Sequence, residues 1–180
     1  VQLDPTELDE KRIYNFMVSS ILPRPIAWVS SVDAEGRTNL APFSYFMGVC
    51  CKPMTVLFCP VVGSAERPKK DTLLNIEQVP EFVVNVAQAH TVAAVNLSAA
   101  PFANGESEFD HAEVTALAST RVQPPRVEEA SIAFECEVRD IIEISDRPGG
   151  GWVVLGNVLC VHVHDHLVDE ETLRVDHDSL

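Results

Sequence analysis

Long apolar runs are missing from this 180-residue sequence. Its hydrophobic stretches are strand-length and broken by proline, asparagine or charge, well short of the ~20 residues a membrane-spanning helix needs. A leader pattern is missing too: residues 1–10 (VQLDPTELDE) are polar and acidic where a secretion signal would place a basic and then an apolar segment. Positive charge is scarce throughout. Against 27 Asp+Glu stand 13 Lys+Arg, a formal net charge of −14 at pH 7, and a field of that sign repels nucleic-acid phosphates and anionic lipid surfaces. No nucleic-acid or membrane partner is expected, and any phosphate must be held locally.

Several chemical signatures are absent as well. No GxSxG segment occurs, and neither GxGxxG nor GxxxxGK[ST] occurs, which leaves out the hydrolase nucleophile elbow and the Rossmann and P-loop nucleotide sites. The five cysteines (Cys50, Cys51, Cys59, Cys136, Cys160) are odd in number and show no CxxC spacing. They read as reduced thiols of a cytoplasmic protein, with the Cys50-Cys51 pair as buried packing.

What is present describes one soluble globular domain over residues 1–180, with no repeat, linker or low-complexity tract. A chain of this length can bury roughly 70% of its unfolded surface, enough for a core and a ligand pocket. Asp4-Pro5 followed by Leu8, Ile13, Phe16, Met17 and Ile21 predicts an amphipathic helix that Pro23 and Pro25 end. Residues 26–32 and 37–41, about the turn Asp33-Ala34-Glu35-Gly36, predict a hairpin. Strands are further predicted at 54–62, 81–87, 132–144 and 151–163, the last two as a long hairpin. Helices are predicted at 71–78, N-capped by Asp71, and at 90–99, with 103–118 as a loop. About six mostly antiparallel strands with a few short helices point to a barrel or sandwich.

Three places could carry chemistry. Residues 64–72 (SAERPKKDT) hold three of the 13 basic residues, Arg67, Lys69 and Lys70, directly before a helix. Ammonium groups, hydroxyls and unpaired first-turn N–H groups together suit an anion, and the alternative is a solvated basic loop. Residues 39–46 (NLAPFSYF) put a proline break and aromatics beside small polar groups, either a ligand-facing bend or an edge strand with core aromatics. On a continuing strand His162, His164 and His166 would share one face and suit zinc, the alternatives being a solvated strand end or one functional histidine.

Taken together and in order, residues 24–33 (RPIAWVSSVD) with Gly36, Asn39 with Ala41 to Phe46, Lys70-Asp71-Thr72 with Asn75, and the 81–85 segment (EFVVN) resemble the flavin reductase-like, FMN-binding split-barrel family, which includes the flavoredoxin group. Ser107 to Asp110, the 124–127 turn (PPRV) and residues 156–164 continue the match, which covers roughly residues 10–165. The resemblance implies a mainly β fold, a six-stranded antiparallel Greek-key split barrel with a few short helices. It also implies a homodimer with FMN sites near the interface. On that basis Ser64, Arg67, Lys70, Asp71 and Thr72 become the expected phosphate cradle. Ala41, Pro42, Phe43, Ser44, Tyr45 and Phe46, with Trp28, Val29 and Ser30, become the expected wall against the ring and ribityl chain. Glu108, Phe109 and Asp110 are expected to close the site, and His162 to lie near the ring, while no metal is expected.

The implied activity is an NAD(P)H:flavin oxidoreductase passing reduced flavin or electrons to a monooxygenase or other acceptor. The alternatives are a non-catalytic FMN electron carrier of flavoredoxin type and, more distantly, a metal-binding barrel. Hydride would pass from the nicotinamide to the flavin, so no acid, base or nucleophile is required of the protein.

Overall fold

The computed structural model describes residues 1–62, 67–102, 106–176, 178 and 180. A helix α1 (Glu10–Ser20), N-capped by Asp9, precedes strands β1 (Ala27–Val32), β2 (Thr38–Phe43), β3 (Phe46–Cys51) and β4 (Met54–Phe58). Then come α2 (Asp71–Gln78), β5 (Glu81–Val86), α3 (Val92–Leu97), α4 (Glu108–His111), the short β6 (Ala116–Leu117) and β7 (Arg126–Val127), and the long β8 (Ile132–Ser145) and β9 (Gly151–Val163). Asp4 caps a separate single turn rather than α1 itself. Among the described residues no helix is long and apolar enough to cross a membrane.

The hairpins follow from local chemistry. Asp33 accepts hydrogen bonds from the Glu35 and Arg37 N–H groups at 3.0 and 2.8 Å, and Gly36 takes a φ of +81°, so the turn between β1 and β2 closes as expected. The main sheet is antiparallel in the order β2-β1-β5-β8-β9-β4-β3, seven strands rather than six; β6 and β7 form a separate ribbon. The added strand is β3, which carries no clear alternation because every residue after Phe46 is exposed and the pairing shifts register between Gly48 and Cys50. Cys50 and Cys51 lie there in the open, not in packing as expected.

β2 and β3 form opposite edges of the sheet, yet only Ser44 and Tyr45 separate them in sequence. Three Cα–Cα steps span at most about 11 Å, so the sheet must curl until its two edges nearly meet. Register shifts in β8 and β9 supply part of that curvature. Inside, Phe43 of β2 packs on Phe58 of β4 with ring centroids 5.0 Å apart, and Phe58 packs on Phe82 at 5.2 Å. Gly156 lets the Phe82 ring approach: a Cβ there would lie 2.3 Å from Phe82 Cζ.

α2 closes one end of this interior with Leu73 and Ile76, one helical turn apart and both buried. A second core lies on the other side of β1 and β2, where Trp28, Leu40, Val95, Phe109, Val127 and Ala130 meet. β1 is therefore covered on both faces, and all six of its residues are buried.

Candidate functional site

A cleft of about 370 Å³ runs along β2, bounded by Asn39, Ala41 and Pro42, by Lys70 to Thr72 at the start of α2, and by the 98–102 segment after α3. β2 is an edge strand, which is why Pro42 is tolerated there without a ladder donor. The buried Thr72 hydroxyl accepts from Asn39 Nδ2 at 2.9 Å, and Asn75 Nδ2 donates to Ser31 at 3.1 Å, so α2 is pinned across β1 and β2 by a buried amide–hydroxyl network. The start of α2 is thereby held over the cleft. Its first-turn N–H groups lack helical partners, and Lys70, not Asp71, occupies the N-cap position with no side-chain cap bond.

Charge is arranged unevenly in this cleft. Arg67 pairs with Asp71, and Lys69 pairs with Glu77 at 2.6 Å. Among the described residues lining it, Lys70 is the cation with no carboxylate beside it. Its ammonium lies 5.5 Å from the Phe43 ring centroid, and loss of water around it draws its pKa below the ordinary lysine value. Beyond Asn39 the cleft opens into a space of about 320 Å³ lined by Asp33 and Glu35, both paired with Arg37, and by Arg67, Asp71, Glu106 and Glu108. Glu108 is buried and accepts from the Leu40 N–H at 2.9 Å; burial raises its pKa despite that bond.

Toward the other side, Pro42 and Lys70 also border a compartment of about 350 Å³ lined by Phe43, Ser44, Tyr45, Tyr14, Cys59, Val61 and Val62. The bend there is fixed by Cys59 N–H donating to the Tyr45 carbonyl at 2.9 Å. Arg24, which the motif reading passed over as a binding residue, donates from Nη1 to the Ser44 hydroxyl at 2.5 Å. Its Nε is buried without a partner. The arrangement offers an anion locus at Lys70 and, next to it, a largely polar compartment in which Ser44, Tyr14 and Tyr45 stand beside Phe43, Val61 and Val62.

Residues 18–178 match the flavin reductase like domain. The chain belongs to that family. Its structure is similar to nitrilotriacetate monooxygenase component B from Bacillus cereus, at 35% identity and a TM-score of 0.93, over 100% of this chain and 88% of that one. It is also similar to a Pseudomonas fluorescens 2-nitrobenzoate 2-nitroreductase, at 30% identity and a TM-score of 0.86, over 97% of this chain and 82% of the other. A Shewanella frigidimarina protein with a split barrel domain shares the fold at 19% identity and a TM-score of 0.84, over 99% and 87% of the two chains.

For a flavin reductase like chain, the structure brings together most of the residues expected at the site. Ala41, Pro42, Lys70, Asp71 and Thr72 line the first cleft with Arg67, and Phe43, Ser44 and Tyr45 line the second compartment. Ser64 lies outside the described residues. Phe46 instead packs against the barrel core. Trp28, Val29 and Ser30 do not form the expected wall, because β1 is a central strand covered on both faces; Trp28 donates from Nε1 to Ser98 Oγ at 2.8 Å and reaches the cleft only through that neighbour. Phe109 is likewise drawn into the second core, leaving Glu108 as the α4 residue in the cleft.

His162 does not line the cleft either. Its Nε2 lies 2.6 Å from Glu135 Oε1, across the β8–β9 ladder, and 3.6 Å from Cys160 Sγ. The carboxylate of Glu135, with no solvent exposure, also accepts from the Thr120 and Arg121 N–H groups at 2.8 and 2.6 Å, and the Arg126 guanidinium stands 3.9 Å away. The three-histidine face does not form, because β9 stops at Val163 and a tight turn follows, in which His164 and His166 face each other with ring centroids 5.7 Å apart. Glu135, Cys160 and His162 are instead the ligand-type atoms within 4.8 Å of one another. The close carboxylate–imidazole bond and the nearby guanidinium make this an ion-pair network that ties the 120–121 backbone to the barrel.

Proposed function

We propose that the protein is an FMN-dependent NAD(P)H:flavin oxidoreductase that supplies reduced flavin or electrons to a partner such as a monooxygenase. The observation that carries this reading is the meeting of two adjoining spaces at Pro42 and Lys70, one holding the start of α2 and the other the aromatic bend. FMN fits these residues. A phosphate matches Lys70 and the first-turn N–H groups, and a planar ring matches the slot of Phe43, Tyr45, Val61 and Val62 with the Ser44 hydroxyl. The far end carries five carboxylates against Arg37 and Arg67, a net negative lining that favours a mononucleotide over FAD.

When bound, the flavin supplies the redox chemistry, accepting hydride from a nicotinamide and returning electrons to an acceptor. Lys70 would hold the phosphate, Phe43, Tyr45, Val61 and Val62 would flank the ring, and Ser44 would offer it one hydroxyl donor. No side chain is needed as acid or base for the hydride step. Likeness to a monooxygenase component B at 35% identity supports a monooxygenase as the acceptor.

Absorbance of the purified protein with added FMN, followed anaerobically by NADH and then NADPH, tests this reading. Bound flavin whose band at about 450 nm bleaches on nicotinamide addition is the expected result. Bound flavin that stays oxidised would favour an electron carrier, and no flavin binding would overturn the assignment.

A homodimer belongs to the same reading. Tyr14, Phe16 and Met17 of α1, Ile21 just after it, and Met47 and Val49 of β3 are exposed apolar side chains that a second copy would cover. Light scattering at micromolar concentration is expected to give twice the 19.8 kDa chain mass; a monomer would exclude a site shared between copies.

A further inference from the structure

Arg24 is an unusual cation in so acidic a chain. Among the described residues no carboxylate lies within ion-pair distance of it, although 27 Asp+Glu are available. It is only partly exposed, and its Nε, like that of Arg126, is buried with no protein acceptor among the described residues. An orphaned guanidinium N–H of this kind costs free energy unless a function retains it.

Its one directed bond is to Ser44, 20 residues away in sequence, at 2.5 Å. A guanidinium can only donate, so the Ser44 oxygen is the acceptor and the hydroxyl hydrogen is left to point elsewhere. No acceptor for it exists among the described residues, and Ser44 lines the compartment at the bend. The cation therefore polarises a hydroxyl that lines the space where the ring is proposed to sit. Its charge also reaches Tyr45, where burial raises the phenol pKa and Arg24 opposes that rise.

We propose that Arg24 is a positioning residue that acts through Ser44 to stabilise the reduced, anionic form of the flavin over the oxidised form. The inference rests on the flavin reading above. Two-electron reduction by hydride leaves negative charge on the ring's pyrimidine portion, and a hydroxyl donor backed by a fixed positive charge favours that charge. The oxidised ring, which is neutral, gains much less. Arg24 thus sets redox poise, whereas Lys70 sets affinity.

The test compares wild type with Arg24→Met, Arg24→Lys, Ser44→Ala and the Arg24→Met/Ser44→Ala double variant, each loaded with FMN. Fluorescence titration gives the Kd for oxidised FMN, and anaerobic spectroelectrochemistry gives the midpoint potential of the bound flavin. Arg24→Met is expected to keep the oxidised Kd within about twofold and weaken reduced-FMN binding about tenfold. By linkage that is a potential about 30 mV more negative for a two-electron couple. Arg24→Lys, which keeps the charge, is expected to recover most of the shift. The double variant is expected to lose no more than Arg24→Met alone, since both act through one hydroxyl.

An unmoved potential in Arg24→Met with FMN bound would overturn the assignment alone, as would equal weakening of both redox forms. A halved molar mass with an unmoved potential would place Arg24 at a contact between copies instead. Wild type that binds no FMN would overturn the flavin reading and this inference together.

Discussion

Replacing Lys70 with alanine is expected to raise the Kd for FMN about 10- to 100-fold. The side chain stands in the cleft with no carboxylate partner among the described residues, next to the first turn of α2, so its charge is available to a ligand. A hydrogen bond to a charged group contributes about 1.5–3 kcal/mol, and each 1.4 kcal/mol is tenfold in affinity. Because no ion pair is broken, the FMN-free melting temperature is expected to stay within about 2 °C of wild type. Lys70→Arg keeps the charge and is expected to lose less affinity. Fluorescence titration of FMN checks this, and an unchanged Kd in Lys70→Ala would remove the segment before α2 from the phosphate site.

Replacing Glu135 with alanine is expected to destabilise the fold by about 3–5 kcal/mol, a large share of the stability of a typical domain. The loss has three sources. Two backbone N–H groups, of Thr120 and Arg121, lose their acceptor, His162 loses its partner, and the Arg126 guanidinium is left partly buried without a counter-charge. Urea unfolding monitored by circular dichroism measures the change, and a loss under about 1 kcal/mol would show that the loop satisfies these groups in another way.

Glu135 also predicts a pH dependence. Burial alone would raise its pKa, but the hydrogen bonds from Thr120, Arg121 and His162 outweigh it, and the folded-state value lies below the ordinary 4.5. A depressed carboxylate pKa contributes stability that is fully present above the unfolded value and is lost as pH falls through the folded one. The wild-type urea midpoint is therefore expected to drop below about pH 4.5, and that of Glu135→Gln to drop less over the same range.

Much of the fold was legible because its signals are local. The β1–β2 hairpin is announced by Asp33 and Gly36, which close the turn with their own backbone and side-chain geometry. Strands β8 and β9 lie within a residue of the predicted spans, since a long apolar pattern on each side of the 146–151 turn leaves few other pairings. β3 escaped notice because an exposed edge strand needs no alternation. The 103–118 stretch, expected as a loop, contains α4 and β6, whose few residues are too short to generate a period.

The candidate site divides in the same way. Lys70, Thr72 and the 41–45 bend stand out by composition, and the structure places them on two adjoining spaces that share Pro42 and Lys70. Arg24 escaped notice as a binding residue because its partner Ser44 lies across a hairpin, and Glu135 because His162 comes from the neighbouring strand. Trp28 misled for the reverse reason: an aromatic beside polar residues resembles a ligand wall, while burial depends on α3 and α4 arriving to cover it.

By itself the sequence determined the acidic field, the antiparallel hairpins, the proline bend and the basic segment before α2, because each depends on residues within one or two turns of chain. Only the tertiary structure decided which cation lacks a partner, which face of β1 is covered, and that β2 and β3 meet at the edges of a curled sheet. Those properties are sums over neighbours brought together by closure, and spacing along a chain does not record which neighbours arrive.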